Sequence, residues 1–151
     1  MDPLTRQVLS TTGGATKTYV DDVFSTHVWV GDGAAHQVVN GIDNAGEGGM
    51  VWTKCRSTTY SHLVADTVRG YNYGIFPDAT GGQDGPNDNY FKSLNSDGFT
   101  TGDWVGANQS GSDFVGWNFR KASGFFDIVS YTGTGSALTV AHGLGCVPGC
   151  I

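Results

Sequence analysis

Short runs of β-branched and aromatic residues, each closed by Gly, Asn or Asp, recur along the chain from residue 24 onward. His27-Val28-Trp29-Val30 is followed by Gly31-Asp32-Gly33, and Gln37-Val38-Val39 is followed by Asn40-Gly41. An apolar run that ends in Asp-Gly or Asn-Gly is typical of a strand that enters a turn, because these pairs accept positive φ at little strain. The pattern therefore predicts strands joined by tight turns.

The same reasoning predicts four further strands, at residues 50–54, 62–65, 71–76 and 115–120. The last alternates apolar and small or polar residues, which predicts that Val115, Trp117 and Phe119 share one buried face. No window holds an apolar stripe at helical spacing, so no helix longer than two turns is expected. The residues expected to be largely buried are Trp29, Val51, Trp52, Leu63, Val115, Trp117, Phe119, Phe126 and Ile128.

Composition agrees with an all-β chain. The 151 residues include 24 Gly and 12% aromatic side chains, and Gly is costly inside a helix but cheap in a turn. We predict an antiparallel, jelly-roll-like β-sandwich of about eight to ten strands over residues 23–123.

An internal repeat organises the carboxyl-terminal part. A shift of 102 positions places Val28-Trp29-Val30-Gly31-Asp32-Gly33 on Ser130-Tyr131-Thr132-Gly133-Thr134-Gly135, and Val38 on Val140. Residues 124–151 are therefore predicted to be the first strands of a second, incomplete module. Two or three strands without the rest of their sheet are marginal in water, so this segment is expected either to pack on a neighbour or to begin a longer chain, and the sequence favours the longer chain.

The first 22 residues hold few large apolar side chains and many Thr and Ser, so they cannot form a core alone. We predict an extended attachment arm that docks on a partner through Leu4, Val8, Leu9 and Tyr19. A disordered leader is the alternative, since chain ends are often poorly ordered.

The net charge and the amino-terminal sequence limit the classes of partner and the compartment that are expected for this chain. Eight basic against fourteen acidic residues give a net charge of −6, which would repel nucleic acid. Neither a secretory signal pattern nor a run of membrane-spanning length occurs, so synthesis in the cytoplasm and no membrane insertion are expected. The three cysteines suggest no disulfide framework.

Few residues in the sequence suggest a metal-binding, ligand-binding or catalytic site. The loop at residues 77–89 offers Asp78, Asp84 and Asp88 as oxygen ligands for calcium, although acidic loops of this kind are usually solvated turns. Trp104, flanked by Gly and a carboxylate in a predicted turn, is the candidate for stacking on a glycan. Cys55 is interpreted as buried and inert. No catalytic pattern is present, so neither enzymatic activity nor a cofactor is predicted.

A series of motifs then resembles a known module. The motifs follow one another in order: Tyr19–Thr26, Asn40–Asp43, Gly46–Lys54, Asp66–Gly70, Asn95–Phe99, Val115–Ala122 and Gly124–Val129. They resemble a repeated module of virion structural and tail-fibre proteins of tailed bacteriophages. The resemblance implies a β-sandwich used in tandem in a tail fibre or baseplate-associated protein, assembled as a homotrimer with other tail, baseplate or neck proteins and located in the virion. The alternative is a carbohydrate-binding module that recognises a cell-surface glycan.

Overall fold

The computed structural model describes residues 17–151 together with the two-residue strand Val8–Leu9. The elements in chain order are β1 (Val8–Leu9), β2 (Thr18–Tyr19), α1 (Val20–Val23), β3 (Phe24–Val30), β4 (His36–Val39), α2 (Asn44–Glu47), β5 (Gly49–Cys55), β6 (Leu63–Asp66), β7 (Gly70–Ile75), β8 (Phe91–Leu94), β9 (Gly98–Thr101), α3 (Val105–Asn108) and β10 (Asp113–Arg120).

Two antiparallel sheets face each other and form a β-sandwich. The five-stranded sheet has the order β3-β10-β5-β6-β7, and the three-stranded sheet has the order β4-β9-β8. The predicted all-β sandwich is therefore confirmed, and its strands fall where apolar runs end in turn residues. Gly33 and Gly41, in two of the predicted turns, adopt φ of 77° and 80°.

The core lies between the sheets and takes side chains from both. Trp29, Val51, Leu63 and Phe114 come from the five-stranded sheet. The three-stranded sheet adds Val38, Phe91, Leu94 and Phe99, and Tyr90 comes from the turn before β8. Burial of these groups supplies most of the driving force for folding.

The prediction of which face of β10 points into the core is wrong. Phe114, Gly116 and Asn118 of β10 point into the core and are buried, whereas Trp117 and Phe119 lie half-buried on the opposite face. A Cβ at position 116 would stand 3.1 Å from Phe99 and 3.2 Å from Trp29. Gly116 thus provides the space that these two rings fill, so the small residues of β10 face inward.

Helices are limited to single turns. Each of the three contains four residues, and the Asp43 carboxylate caps α2 by accepting a hydrogen bond from Gly46 N–H at 2.8 Å. Within the described part of the chain, no helix has both the length and the apolar character needed to cross a membrane.

The amino-terminal segment contains a short antiparallel pair. Val8–Leu9 pairs with Thr18–Tyr19, and α1 follows directly with Val23 fully buried. Val23, the first residue of the predicted module, therefore belongs to the folded sandwich. Leu4 lies outside the described residues.

The carboxyl-terminal segment differs from its prediction. Residues 121–151 hold no strand beyond one bridge between Ala122 and Phe126. In the first module β3 is a strand because it pairs with β10, and β4 because it pairs with β9. Residues 126–132 and 138–141 repeat the sequences of β3 and β4, but they pair with no strand of the described chain and are not strands in this structure.

Candidate functional site

The outer face of the five-stranded sheet is unusually apolar. Cross-strand partners share a face, and the partners of β3, β10 and β5 form rows on the side opposite the core. The rows are Val28–Val115–Lys54, Thr26–Trp117–Trp52 and Phe24–Phe119–Met50. Outward faces of antiparallel sheets are normally polar, so this surface, which we call the outer apolar face, is a candidate for contact with another protein.

Aromatic contacts organise this face. Trp52 and Trp117 meet edge to face with ring centroids 5.8 Å apart, and Phe24 lies 4.9 Å from Phe119. The indole N–H of Trp52 donates to His62 Nδ1 at 2.9 Å. These partners hold the rings half-buried, while Val28 at the margin is 57% exposed and Val30 is 60% exposed.

β3 also presents an unpaired backbone edge among the described residues. Gly31 N–H donates to the Ser112 carbonyl at 2.8 Å, and alternate residues of an antiparallel ladder bond to the same neighbour. Trp29 and His27 therefore direct their backbone groups toward β10, whereas Val28 and Val30 direct theirs away from the sheet.

The opposite edge of the same sheet is covered. Gly74 and Asp84 exchange two backbone hydrogen bonds at 2.8 and 2.9 Å, and Asn87 N–H donates to the Asn72 carbonyl at 2.8 Å. Proteins commonly protect edge strands in this way. Among the described residues β3 is therefore the open edge of this sheet, and β3 borders the outer apolar face.

A charged cleft of about 440 Å³ lies where both appendages join the module. It is lined by Lys17 and Thr18 before α1, Glu47 of α2, and residues 120–123 after β10, together with Asp22. Arg120 Nη1 lies 3.8 Å from Glu47 Oε1. The amino-terminal and carboxyl-terminal segments therefore leave the sandwich side by side.

The carboxyl-terminal segment closes on itself at this junction. Asp127 pairs with Lys121 Nζ at 3.0 Å and accepts a hydrogen bond from Gly143 N–H at 2.6 Å. Leu144 carbonyl accepts from Gly124 N–H at 2.8 Å and from Ser123 Oγ at 3.1 Å. Residues 128–142 consequently form a loop whose base is fixed. We call it the C-terminal loop.

Acid is expected to open this loop. The Gly143 N–H and the Lys121 ammonium lower the pKa of Asp127 below its usual value, so its stabilising contribution is full above the unfolded pKa of about 3.9 and is lost as pH falls through the lower folded value. We expect the protection factor of the Gly143 amide, its exchange rate corrected for the intrinsic pH dependence, to fall below about pH 4 and to be lower at neutral pH in Asp127→Ala.

Asp103→Ala, which removes an exposed carboxylate elsewhere, is the matched control for the Asp127 prediction. Site-resolved amide exchange measures the effect. Equal exchange at Gly143 in Asp127→Ala and in the unmodified chain would show that this carboxylate does not hold the loop.

The predicted calcium ligands are not brought together. Asp78 accepts from His62 N–H at 3.1 Å, Asp88 accepts from Asn72 Nδ2 at 2.9 Å, and Asp84 accepts from Gly85 N–H and from the Tyr90 hydroxyl. In residues 17–151, no group of three or more His, Cys, Asp or Glu residues is placed to hold a metal ion. These carboxylates instead bond to the loop and to neighbouring strands, which is the usual role of Asp in turns.

Trp104 is not a free stacking platform. It lies in the predicted turn, directly before α3, but its ring packs edge to face on Phe76 at 5.7 Å and on Tyr90 at 5.2 Å. A Cβ at Gly106 would stand 2.3 Å from the Trp104 ring. The absence of a side chain at Gly106 lets the ring fold against the core.

The remaining predicted residues are placed as follows. Tyr19 is half-buried in β2, Val8 and Leu9 form β1, and Cys55 is buried as predicted. The outer apolar face was missed, because its alternating apolar residues were assigned to the core. The register of β10 against β3 and β5 would have been needed to find it.

A family model described as Domain of unknown function (DUF7483) matches residues 20–151. The chain belongs to this family. The match starts at the first residue of α1 and includes both the sandwich and the carboxyl-terminal segment. Comparison with curated proteins and with solved structures found no match.

Proposed function

We propose that this chain is a structural virion protein of a tailed bacteriophage, at the attachment end of a tail fibre or in a baseplate-associated component, and that it acts by assembly. The observation that carries the assembly role is the outer apolar face next to the open edge of β3. Exposed Val28 and Val30 and unpaired strand backbone are features that a protein surface normally avoids unless a partner covers them. The motifs that resemble the phage module, which follow one another in the same order along the chain, support a location in the phage tail.

The arrangement of the appendages supports the same role. Lys17 and Thr18 before α1 and residues 120–123 after β10 line the same charged cleft, so one end of the sandwich carries both connections. A module held in this way leaves its sheets free to contact neighbours. The amino-terminal arm is then the docking element to the rest of the particle, and three copies around a common axis are the proposed oligomer.

The alternative function, recognition of a glycan, has less support from the geometry. Trp104 is packed against the core, and the exposed large aromatic residues among the described residues are Tyr131 in the C-terminal loop, at 68%, and Tyr71 in β7, at 39%. Isolated exposed rings can each stack on a sugar but do not form a platform of several subsites. Binding to a glycan array by the isolated chain would favour this alternative.

Removal of the arm tests the docking role. We expect a chain lacking residues 1–18 to unfold at nearly the same temperature as the full chain, because its core lies in residues 20–120, yet to be missing from purified particles. Quantitative mass spectrometry of particles measures the copy number, and circular dichroism measures unfolding. Normal copy number of the truncated chain would move attachment to the sandwich surface.

A further inference from the structure

We propose that the open edge of β3 binds the C-terminal loop of a second copy of this chain, with residues 128–132 of that copy added as a strand. This inference rests on the proposed assembly role and names the partner. It follows from two unpaired features of the same chain, the edge of β3 and a segment that repeats the sequence of β3.

The edge is ready to accept a strand. Val28 and Val30 direct their backbone groups outward, and no strand of the described chain pairs with that side of β3. Their side chains are 57% and 60% exposed. An added strand would complete the backbone hydrogen bonds and extend the apolar rows of the outer face by one position.

Residues 128–132 are suited to fill this position. They align with part of β3 itself, so that Tyr131 matches Trp29, and the turn glycines Gly133 and Gly135 that follow match Gly31 and Gly33. Val129 and Tyr131 are 42% and 68% exposed and alternate, as residues on one face of a strand do. A pair of an aromatic and a β-branched residue across strands is stabilising, and Tyr131 would lie against Val28 or Val30.

The occupant is a second copy rather than the same chain because the base of the loop is fixed. Asp127 is bound to Lys121 and Gly143, and Leu144 is bound to Ser123 and Gly124. The loop therefore leaves the sandwich with both ends held, and among the described residues no backbone hydrogen bond joins residues 128–132 to β3 of the same chain. A loop from one copy and an edge from the next form a head-to-tail contact, which gives a closed ring where the rotation between copies closes and an open filament where it does not.

Two substitutions and two matched controls test the contact in the full chain. Val28→Lys adds a charge at the edge, and Ser130→Pro removes a backbone donor from the incoming strand. Val68→Lys, at an exposed valine in the turn between β6 and β7, and Ser136→Pro, in the turn of the C-terminal loop, are the controls. All four sites are exposed, so circular dichroism should show the same fold in every variant.

Sedimentation velocity at micromolar concentration measures assembly. We expect the unmodified chain and both controls to sediment as an oligomer, and Val28→Lys and Ser130→Pro to sediment as single chains. A monomeric unmodified chain overturns the proposal. So does an oligomer that survives either substitution, because it would use another surface or another occupant. These results are independent of whether the chain is found in a virion.

Discussion

Phe99→Ala is expected to lower the free energy of unfolding by about 3–5 kcal/mol, the usual cost of removing a fully buried phenyl ring. Phe99 belongs to the three-stranded sheet and is 0% exposed. Its ring lies 6.0 Å from Trp29 of the opposite sheet and 5.9 Å from Phe91 of its own. The substitution therefore leaves a cavity between the two sheets, above the space that Gly116 provides.

Chemical denaturation followed by tryptophan fluorescence measures this change, because Trp29 borders the cavity. Thr100→Ala is a suitable control, since the neighbouring residue is half-buried and contributes only a hydroxyl that accepts from Asn95 Nδ2 at 3.0 Å. A loss below about 1 kcal/mol in Phe99→Ala, a value typical of surface changes, would show that the two sheets do not share this core.

Asn108→Ala is expected to destabilise the module by about 2–3 kcal/mol, because it leaves the buried indole N–H of Trp29 without a partner and removes two further hydrogen bonds. Asn108 is 0% exposed. Its Oδ1 accepts from Trp29 Nε1 at 3.0 Å, and its Nδ2 donates to the Ala34 carbonyl at 2.7 Å and to Asp32 Oδ1 at 2.6 Å. The amide thus ties α3 and the turn after β3 to a core tryptophan.

A charge variant separates hydrogen bonding from packing at this position. Asn108→Asp keeps the shape but replaces the donor with an oxygen that faces Asp32, so like charges meet at neutral pH and one pKa rises. We expect its defect to exceed that of Asn108→Ala at pH 7 and to shrink as pH falls through the raised pKa. Ser110→Ala, at an exposed position two residues later, is the control. A defect in Asn108→Asp that does not depend on pH would contradict the assigned contacts.

The sequence was sufficient for the fold class because the turn residues mark where strands end. Asp32-Gly33 and Asn40-Gly41 close β3 and β4 as predicted. Two strands were missed, β8 and β9, because they are four residues long and Asn95-Ser96-Asp97-Gly98 between them has the composition of a loop. Short strands carry too few alternating positions to distinguish them from loops.

The outer apolar face could not be predicted from hydrophobic periodicity, because periodicity does not say how the two sheets pack on each other. Alternation places Val115, Trp117 and Phe119 on one face of β10, but it does not say which face meets the second sheet. That choice follows from Phe114 and from the space at Gly116, which accommodates Trp29 and Phe99. In the same way, the repeat at residues 126–141 identifies strand-forming sequence, whereas strand formation also needs a paired neighbour, as β3 has in β10 and β4 has in β9.

Electron microscopy of purified particles tests the central claim most directly. The account predicts that a map of the tail contains the sandwich of residues 20–120 at a fixed position in the fibre or baseplate, in several copies around one axis, with residues 1–18 in contact with a neighbouring virion protein. Gold-labelled antibody against the chain should mark the same position. A particle map in which every tail density is accounted for by other chains, and particles that bind no antibody, would contradict it.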